Sequence, residues 1–341
     1  MGRRTTIADI ARRAGVSNWT VSHVLNRRAD VSIADATRAR VMQAAVDMGY
    51  RPNPAARALA NGRTQLVALW VIAGDSYSPY FARVQYELQR RVLEGGYRAL
   101  TEDVPLPDAH RRGFARLLNW PVDGVMACDV AGPADAYVSA AEGRPPLVSL
   151  GVWCVEAADY VRLDLAPGSR DAVRHLLTVG CRRIAFVGPP AHDDRAAAYE
   201  EVMREAGRPA ELVHTPANDR ASIRAFFRDY LLAKGRPDGL FCQNDDRAIA
   251  CCRALADLGL RVPEDVAVVG CDGIEETEYR TAPISTIQVP VGEMCDLAWR
   301  ALRARMTDPL APPRRHVLTP PLVVRESSRR GASDAPTVHE R

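Results

Sequence analysis

The sequence lacks any apolar run long enough to cross a bilayer. A membrane-spanning helix needs about 18 to 20 consecutive apolar residues, and no stretch of the 341-residue chain approaches that length. The first residues also lack the apolar core of a secretion signal. We therefore expect a cytoplasmic protein that does not insert into a membrane.

Motifs for metal binding and catalysis are also missing. The eight cysteines form no CxxC pair and no Cys/His metal spacing, so we expect buried, reduced thiols, no metal and no cofactor. Cys251 and Cys252 cannot both face the core of one helix. There is no GxGxxG, P-loop or GxSxG motif, and no recognisable Ser/His/Asp grouping, so we expect no catalytic residues and no enzyme. An enzyme on an α/β scaffold is the alternative.

Charge is distributed unevenly along the chain. The net charge is only +3, but residues 1–63 carry eleven arginines and four aspartates, a net +7, which leaves −4 for the remainder. A basic head on a mildly acidic body is typical of a nucleic-acid reader joined to another domain.

Residues 5–26 have the pattern of two short helices joined by a tight turn. Thr6 and Asp9 predict a capping box, Gly15 a helix end, and Ser17 the cap of the second helix. This arrangement favours a helix-turn-helix whose second helix enters the DNA major groove, although an amphipathic hairpin in an ordinary helical domain is the alternative. The second helix would bury Val21, Val24 and Leu25 and expose Asn18, Trp19, Ser22 and His23.

A third helix and a short linker helix are predicted next. Ser32 is expected to cap a helix that runs to about Met48 and ends at Gly49. Pro54 suits the first turn of another helix over residues 55–60. So short a helix is unstable alone, so we expect it to form only with a twin or on DNA.

From residue 66 the sequence alternates apolar runs with amphipathic helices. This βαβ rhythm predicts parallel sheets covered on both faces, and about 260 residues of it favour two α/β lobes over one. Ligands of such folds bind at the carboxyl ends of the strands. Strands are predicted at 66–72, 97–100, 124–128, 147–152, 184–188, 240–242 and 266–271, and helices at 81–93, 111–118, 169–179, 196–206, 224–233 and 247–258.

Ordered motifs run through nearly the whole chain. They are TIADIA at 6–11, AGVS at 14–17, TVS at 20–22, MGYRPN at 48–53, ARALA at 56–60, PYF at 79–81, VDGV at 122–125, GCRRIAFVG at 180–188, ND at 244–245, GLRVPEDVAVVG at 259–270 and STI at 285–287. With them the chain from Thr6 to about Glu326 resembles the LacI (lactose repressor) family of bacterial transcription regulators.

The resemblance implies a homodimer that reads a near-palindromic DNA operator. Base edges would be contacted by Asn18, Trp19 and His23, and phosphates by Ser17, Thr20 and Ser22, with Thr6 and Asn26 completing this set. His23 stands where an arginine is common in the family, which weakens the expectation of a guanine contact there. Leu59 matches the hinge-helix leucine that enters the minor groove, with Arg57 beside it.

The resemblance also implies a body like periplasmic sugar-binding proteins, with a small-molecule effector between its lobes. The expected effector is sugar-like, and the chain could repress in either its free or its bound state. A loop-capping role is the alternative for each polar member of this set. The implied effector-binding residues are Asp75, Ser78, Phe81, Asp164, Arg195, Asn244 and Asp272.

Four segments follow from these patterns. They are a helix-turn-helix domain at 1–52, a hinge linker at 53–64, a two-lobed effector-binding and dimerisation domain at 65–326, and a disordered tail at 327–341. The tail lacks a leucine heptad, which favours a dimer over larger assemblies. The rival functions are a sugar receptor without an operator and an architectural DNA protein.

Overall fold

The computed structural model describes residues 5–25, 31–51, 62–72, 78–104, 121–140, 144–191, 193–215 and 219–330. The chain divides into two compact units, Met1–Thr64 and Gln65–Arg341. The predicted linker helix at 55–60 and the predicted helix at 111–118 lie outside the described residues. Within the described residues, no helix is long and apolar enough to span a membrane.

Three helices form the described part of the first unit: α1 (Ile7–Ala14), α2 (Asn18–Leu25) and α3 (Asp35–Asp47). The predicted capping box at α1 is confirmed, and Gly15 ends that helix with φ +64°. The predicted cap at Ser32 is wrong, because α3 begins at Asp35 and no side chain caps it. The core of this unit consists of Ile10, Ala11, Ala14, Val21, Val24, Val41, Ala44 and Ala45.

The second unit contains two lobes, and the first is built on a six-stranded parallel sheet. Its strand order is β11-β5-β4-β3-β1-β2. The strands are β1 (Leu66–Ile72), β2 (Arg98–Val104), β3 (Gly124–Cys128), β4 (Leu147–Gly151), β5 (Asp159–Leu163) and β11 (Arg315–Leu318). The described helices that pack on this sheet are α4 (Pro79–Glu94), α5 (Ala131–Ser139) and α10 (Val291–Thr307).

The second lobe has a six-stranded sheet with the order β12-β10-β9-β8-β6-β7, parallel except for the antiparallel β12. Its strands are β6 (Ile184–Gly188), β7 (Glu211–His214), β8 (Gly239–Cys242), β9 (Ala267–Asp272), β10 (Ser285–Gln288) and β12 (Leu322–Val323). Its helices are α6 (Ala166–Thr178), α7 (Asp194–Glu205), α8 (Arg220–Lys234) and α9 (Asp245–Asp257).

The chain crosses between the lobes three times, after β5, after β10 and after β11. The first lobe is therefore completed by α10 and β11, which come from the end of the chain. Two lobes of parallel sheet, as predicted, place the carboxyl ends of their strands at a shared cleft.

Five of the described strands escaped prediction, and three of them are edges. β7, β11 and β12 lie at sheet edges and are short and only partly buried, so they need no continuous apolar run. β5 contains Asp159, which is buried against Arg305 of α10. β10 carries the buried hydroxyls of Ser285 and Thr286, each of which is hydrogen-bonded, so its polar sequence is compatible with burial.

The predicted disordered tail is wrong at its start. Ser327 and Ser328 are fully buried in a short 3₁₀ helix, and the Ser327 hydroxyl donates to Val268 O at 2.6 Å. Arg330 donates to the carbonyl oxygens of Pro263 and Asp238. Small hydroxyl side chains can be buried when their hydrogen bonds are made, so the polar composition misled the prediction. Residues 331–341 lie outside the described residues.

Candidate functional site

The second helix of the first unit presents a polar and aromatic face. Asn18 and Trp19 are exposed, with Trp19 at 55%, whereas Ser22 and His23 are half-buried. Val21 and Val24 occupy the opposite face and pack in the core, as predicted. Helix α2 therefore offers solvent the side chains that a recognition helix places against base edges.

The side chains on and beside this face make different hydrogen bonds and ring contacts. Ser17 Oγ accepts a hydrogen bond from Thr20 N at 3.1 Å, so the predicted cap of α2 is confirmed. The Thr6 hydroxyl donates a hydrogen bond to the Asp9 carboxylate at 2.7 Å. His23 Nδ1 lies 2.8 Å from Trp19 O, and the two side-chain rings are in contact at a tilt of 31°. The other predicted DNA-binding residues, Asn26, Arg57 and Leu59, lie outside the described residues.

A cavity of about 780 Å³ lies between the two lobes of the second unit. Its walls come from the carboxyl ends of strands in both sheets, as the βαβ pattern predicts. A volume of this size suits a small metabolite. The lining residues are Ile72, Ser78, Pro79, Tyr80, Phe81, Asp129, Val152, Trp153, Leu163, Leu165, Pro189, Arg195, Asp219, Arg220, Gln243, Asn244, Asp246, Arg247, Asp272 and Val289.

Arg195 is a buried cation at the wall of the cavity. Its guanidinium forms an ion pair with Asp193, at 2.6 Å between Nη2 and Oδ2, and donates to Gln243 O at 2.9 Å. Burial opposes the charge on Arg195, but Asp193, together with Cys271 and Asp272, raises the pKa of Arg195 above its ordinary value. Burial also acts to raise the pKa of Asp193, yet Arg195 and Gln243 hold that pKa below its ordinary value. The pair is therefore a fixed, charged platform at the cavity wall.

Asp272, at the end of β9, is a carboxylate with an unusual environment. It lies in the left-handed region with φ 122° and lines the cavity. Burial, and then the neighbouring Asp245, raise its pKa well above the ordinary value, and Arg195 opposes them. A ligand that donates hydrogen bonds to Asp272 would stabilise its ionised form.

Asp245 is hydrogen-bonded to the loop beside this part of the cavity. Its Oδ2 accepts from Gly273 N at 2.7 Å and Ile274 N at 3.0 Å, and its Oδ1 accepts from Thr286 Oγ1 at 2.8 Å. Burial raises its pKa to about 7, although these hydrogen bonds act in the opposite direction. Asp245 therefore fixes the loop that follows Asp272.

Asp129 supplies a carboxylate from the first lobe. Its Oδ1 accepts from Val152 N at 2.6 Å and Trp153 N at 3.1 Å. A Cβ on Gly151, which has φ +110°, would lie 2.3 Å from that oxygen. Only glycine at 151 leaves room for Asp129 in this position.

Two hydrogen bonds join the lobes beside the cavity. Ser78 Oγ, at the start of α4, donates to Asp246 Oδ2 of α9 at 3.1 Å, and Arg83 Nη1 donates to Gly273 O at 3.3 Å. Asp246 also pairs with Arg220, at 2.6 Å. These contacts connect the lobes at a polar edge, where water can replace them.

Aromatic rings form the apolar part of the lining. Tyr80 and Phe81 meet edge to face at 5.1 Å between centroids, and Trp153 is 47% exposed. Burial first, and then the charges of Cys128 and Asp129 among others, raise the pKa of Tyr80, so its hydroxyl stays protonated and able to donate. Ring faces beside carboxylates and guanidinium groups suit a ligand with both C–H and O–H surfaces.

The structure gathers most of the predicted effector-binding residues. Ser78, Phe81, Arg195, Asn244 and Asp272 all line the cavity. The Asn244 side chain also caps α9 by accepting from Arg247 N, as the loop-capping alternative describes.

Two residues of that set are not placed at the cavity. Asp164 is not among the described lining residues, and its carboxylate accepts from Ala166 N at 3.2 Å, so it caps the turn between β5 and α6. Asp75 lies outside the described residues.

Sequence reasoning missed several lining residues with chemical potential. Asp129 follows β3 directly, Trp153 lies two residues after β4, and Asp246 and Arg247 begin α9. Their positions after predicted strands were a usable signal, because parallel strands end at the same side of a sheet. Tyr80 was not in the predicted set, although it lies beside Phe81 in the PYF motif.

Family comparisons match both units of the chain. Residues 6–53 match the model of bacterial regulatory proteins of the lacI family, and residues 173–328 match that of a periplasmic binding protein-like domain. The chain is 33% identical over 346 residues to the HTH-type transcriptional regulator CelR of Thermobifida fusca, covering 95% of this chain and 98% of that protein. It is 30% identical over 334 residues to the ribose operon repressor of Haemophilus influenzae, with coverage of 94% and 98%.

Solved structures agree with this grouping. A CelR–cellobiose complex aligns with TM-score 0.66 at 29% identity over 95% of this chain and all of the other. The lac repressor dimer bound to operator and an anti-inducer aligns with TM-score 0.81 over 96% of this chain and 99% of the other. At 22% identity the second likeness shows the fold.

Proposed function

We propose, because this chain belongs to the lacI family of bacterial regulatory proteins, that it is a repressor whose DNA affinity is set by a sugar-like metabolite. In this proposal a homodimer binds a near-palindromic operator through two helix-turn-helix units. The effector binds in the cavity between the lobes. The protein acts in the cytoplasm, where it reaches the DNA, and uses neither catalysis nor a cofactor.

The observation that carries the proposal is the cavity, because its chemistry is that of a polyol receptor. Asp129 and Asp272 supply acceptors from opposite lobes, and Arg195 supplies a positive charge at the same cavity wall. Phe81 and Trp153 add ring surfaces for the C–H face of a sugar. The names of relatives support this class, since one is a ribose operon repressor and a structural relative was solved with cellobiose.

The mechanism we propose is a population shift. A ligand that contacts both lobes binds one relative arrangement of them more tightly and raises its population. Ser78–Asp246 and Arg83–Gly273 are the contacts whose exchange such a change requires. The altered body would then stabilise or destabilise the paired hinge helices at Leu59 and Arg57 and so change the affinity for the operator. By linkage, binding of the operator changes the affinity for the effector by the same factor.

Selection of DNA fragments from a random pool tests the first part of the proposal. The purified full chain should enrich a near-palindromic site, and its affinity should fall steeply with salt because phosphate contacts release counterions. Sequence-independent binding alone would favour an architectural DNA protein. If no site is enriched, the helix-turn-helix assignment loses its functional meaning, and the body is to be tested as a ligand receptor.

A ligand panel tests the second part. Pentoses, hexoses, disaccharides and nucleosides are added to the protein–operator complex, and release or tightening is followed by fluorescence anisotropy. Arg195→Ala should abolish the response and leave DNA binding intact, whereas Arg174→Ala, a surface change on α6, should leave both intact. A normal response in Arg195→Ala would remove that residue from the site.

A further inference from the structure

We infer that His23 reads a base amino group in the major groove through its free ring nitrogen, acting as an acceptor, and that Trp19 holds the ring in place. The inference rests on the proposed function, since it assigns a base preference to the proposed recognition helix. It predicts adenine or cytosine, and not guanine, at the position that His23 contacts.

The hydrogen bond inside α2 determines which ring nitrogen carries hydrogen. His23 Nδ1 lies 2.8 Å from the main-chain oxygen of Trp19. A carbonyl oxygen can only accept, so Nδ1 is the donor. In a neutral imidazole the other nitrogen, Nε2, then has a lone pair and no hydrogen. Nε2 is therefore an acceptor on the exposed face of the helix.

Contact with the Trp19 ring limits the direction of that acceptor. The rings of Trp19 and His23 have centroids 3.9 Å apart and planes tilted by 31°. They are four residues apart, so they lie one above the other on the same face of α2. The ring contact and the hydrogen bond together restrict both side-chain torsions of His23 before DNA arrives. A restricted side chain loses less entropy on binding, which sharpens its discrimination.

The major-groove code then selects the partner. Adenine N6 and cytosine N4 are amino donors, whereas guanine presents two acceptors and thymine presents one. An Nε2 acceptor opposite guanine O6 or N7 would leave two lone pairs facing each other without a hydrogen. The same site with a donor in place of Nε2 would prefer guanine.

Selection at pH 8 with the full chain tests this, because histidine side chains are ordinarily neutral there. The wild type should prefer adenine or cytosine at one position of each half-site by about threefold or more, the worth of one hydrogen bond. His23→Arg should change that position alone to guanine, by about tenfold, because arginine donates to both guanine acceptors. His23→Ala should level the preference, and Trp19→Ala should weaken it.

Matched controls separate this inference from the proposal beneath it. Gln43→Ala alters an exposed side chain of α3 that contacts Asp47, and its selected site should equal that of the wild type. If the wild type selects a palindrome but His23→Arg and His23→Ala select the same one, the inference is wrong and the proposed function stands. A wild-type guanine at the position that His23→Arg affects would also overturn it. If the wild type enriches no site, the proposed function itself fails.

Discussion

Gly151 and Asp129 form a pair whose geometry predicts a large and specific mutational effect. An alanine at 151 would place its Cβ 2.3 Å from Asp129 Oδ1, far inside contact distance, at φ +110°. Backbone strain of this kind costs about 1–3 kcal/mol. Displacing Asp129 also deprives Val152 N and Trp153 N of their acceptor, at about 0.5–1.5 kcal/mol for each of these part-buried hydrogen bonds. We expect Gly151→Ala to lower the free energy of unfolding by about 2–6 kcal/mol.

A double-mutant cycle isolates the contact. Asp129→Gly alone should cost about 1–3 kcal/mol, because the same two N–H groups lose their acceptor. The double variant should cost about 2 kcal/mol less than the sum of the single variants, since those hydrogen bonds can be lost only once. Urea unfolding followed by tryptophan fluorescence measures each free energy.

Either of two results would refute this reasoning. Additive free energies, within about 0.5 kcal/mol, would mean that Asp129 does not occupy the space beside Gly151. A Gly151→Ala variant as stable as the wild type would mean the same. Asp129→Asn serves as the control, because its amide oxygen still accepts both hydrogen bonds while the charge is removed.

Three further predictions concern pH, the chain end and the ligand. The pKa of Asp245 is raised by burial to about 7, so its neutral form is favoured in the folded state and the wild type should lose stability relative to Asp245→Asn as pH rises from about 4 to 7. A constant difference in melting temperature would contradict this. Deleting residues 327–341 should lower the melting temperature by several degrees, because Ser327 Oγ donates to Val268 O, whereas deleting 331–341 is the matched control. Asp272→Asn should weaken effector binding at least tenfold by calorimetry; unchanged affinity would exclude Asp272 from the site.

The sequence predicts the fold well where burial follows one simple rule. The runs at β1, β3 and β6 are apolar throughout because both faces of those strands are covered, and their bounds are predicted correctly. β2 extends to Val104 through Glu102 and Asp103, which look unlike strand residues. It is an edge strand whose alternate side chains meet solvent.

The candidate site is predictable in part for the same reason. Asp272 ends β9 and Asn244 follows β8, and the rule that parallel strands end on one side of the sheet places them together. Asp164 follows β5 as well, yet it turns toward Ala166 N, because a carboxylate two residues before a helical N–H can cap it. Sequence position does not reveal which of these two uses a polar side chain takes.

The discontinuous first lobe sets an order on synthesis. The second lobe is drawn almost entirely from one continuous stretch, from α6 to β10, whereas β5 must wait for β11, more than 150 residues later, to pair on its outer side. Asp159 likewise waits for Arg305. On the ribosome the second lobe can therefore complete its sheet, apart from its β12 edge, while the first lobe still exposes an open edge and an uncovered apolar face. Until β11 is synthesised, β5 has an unpaired edge, and this edge is where the incomplete protein is longest exposed to aggregation.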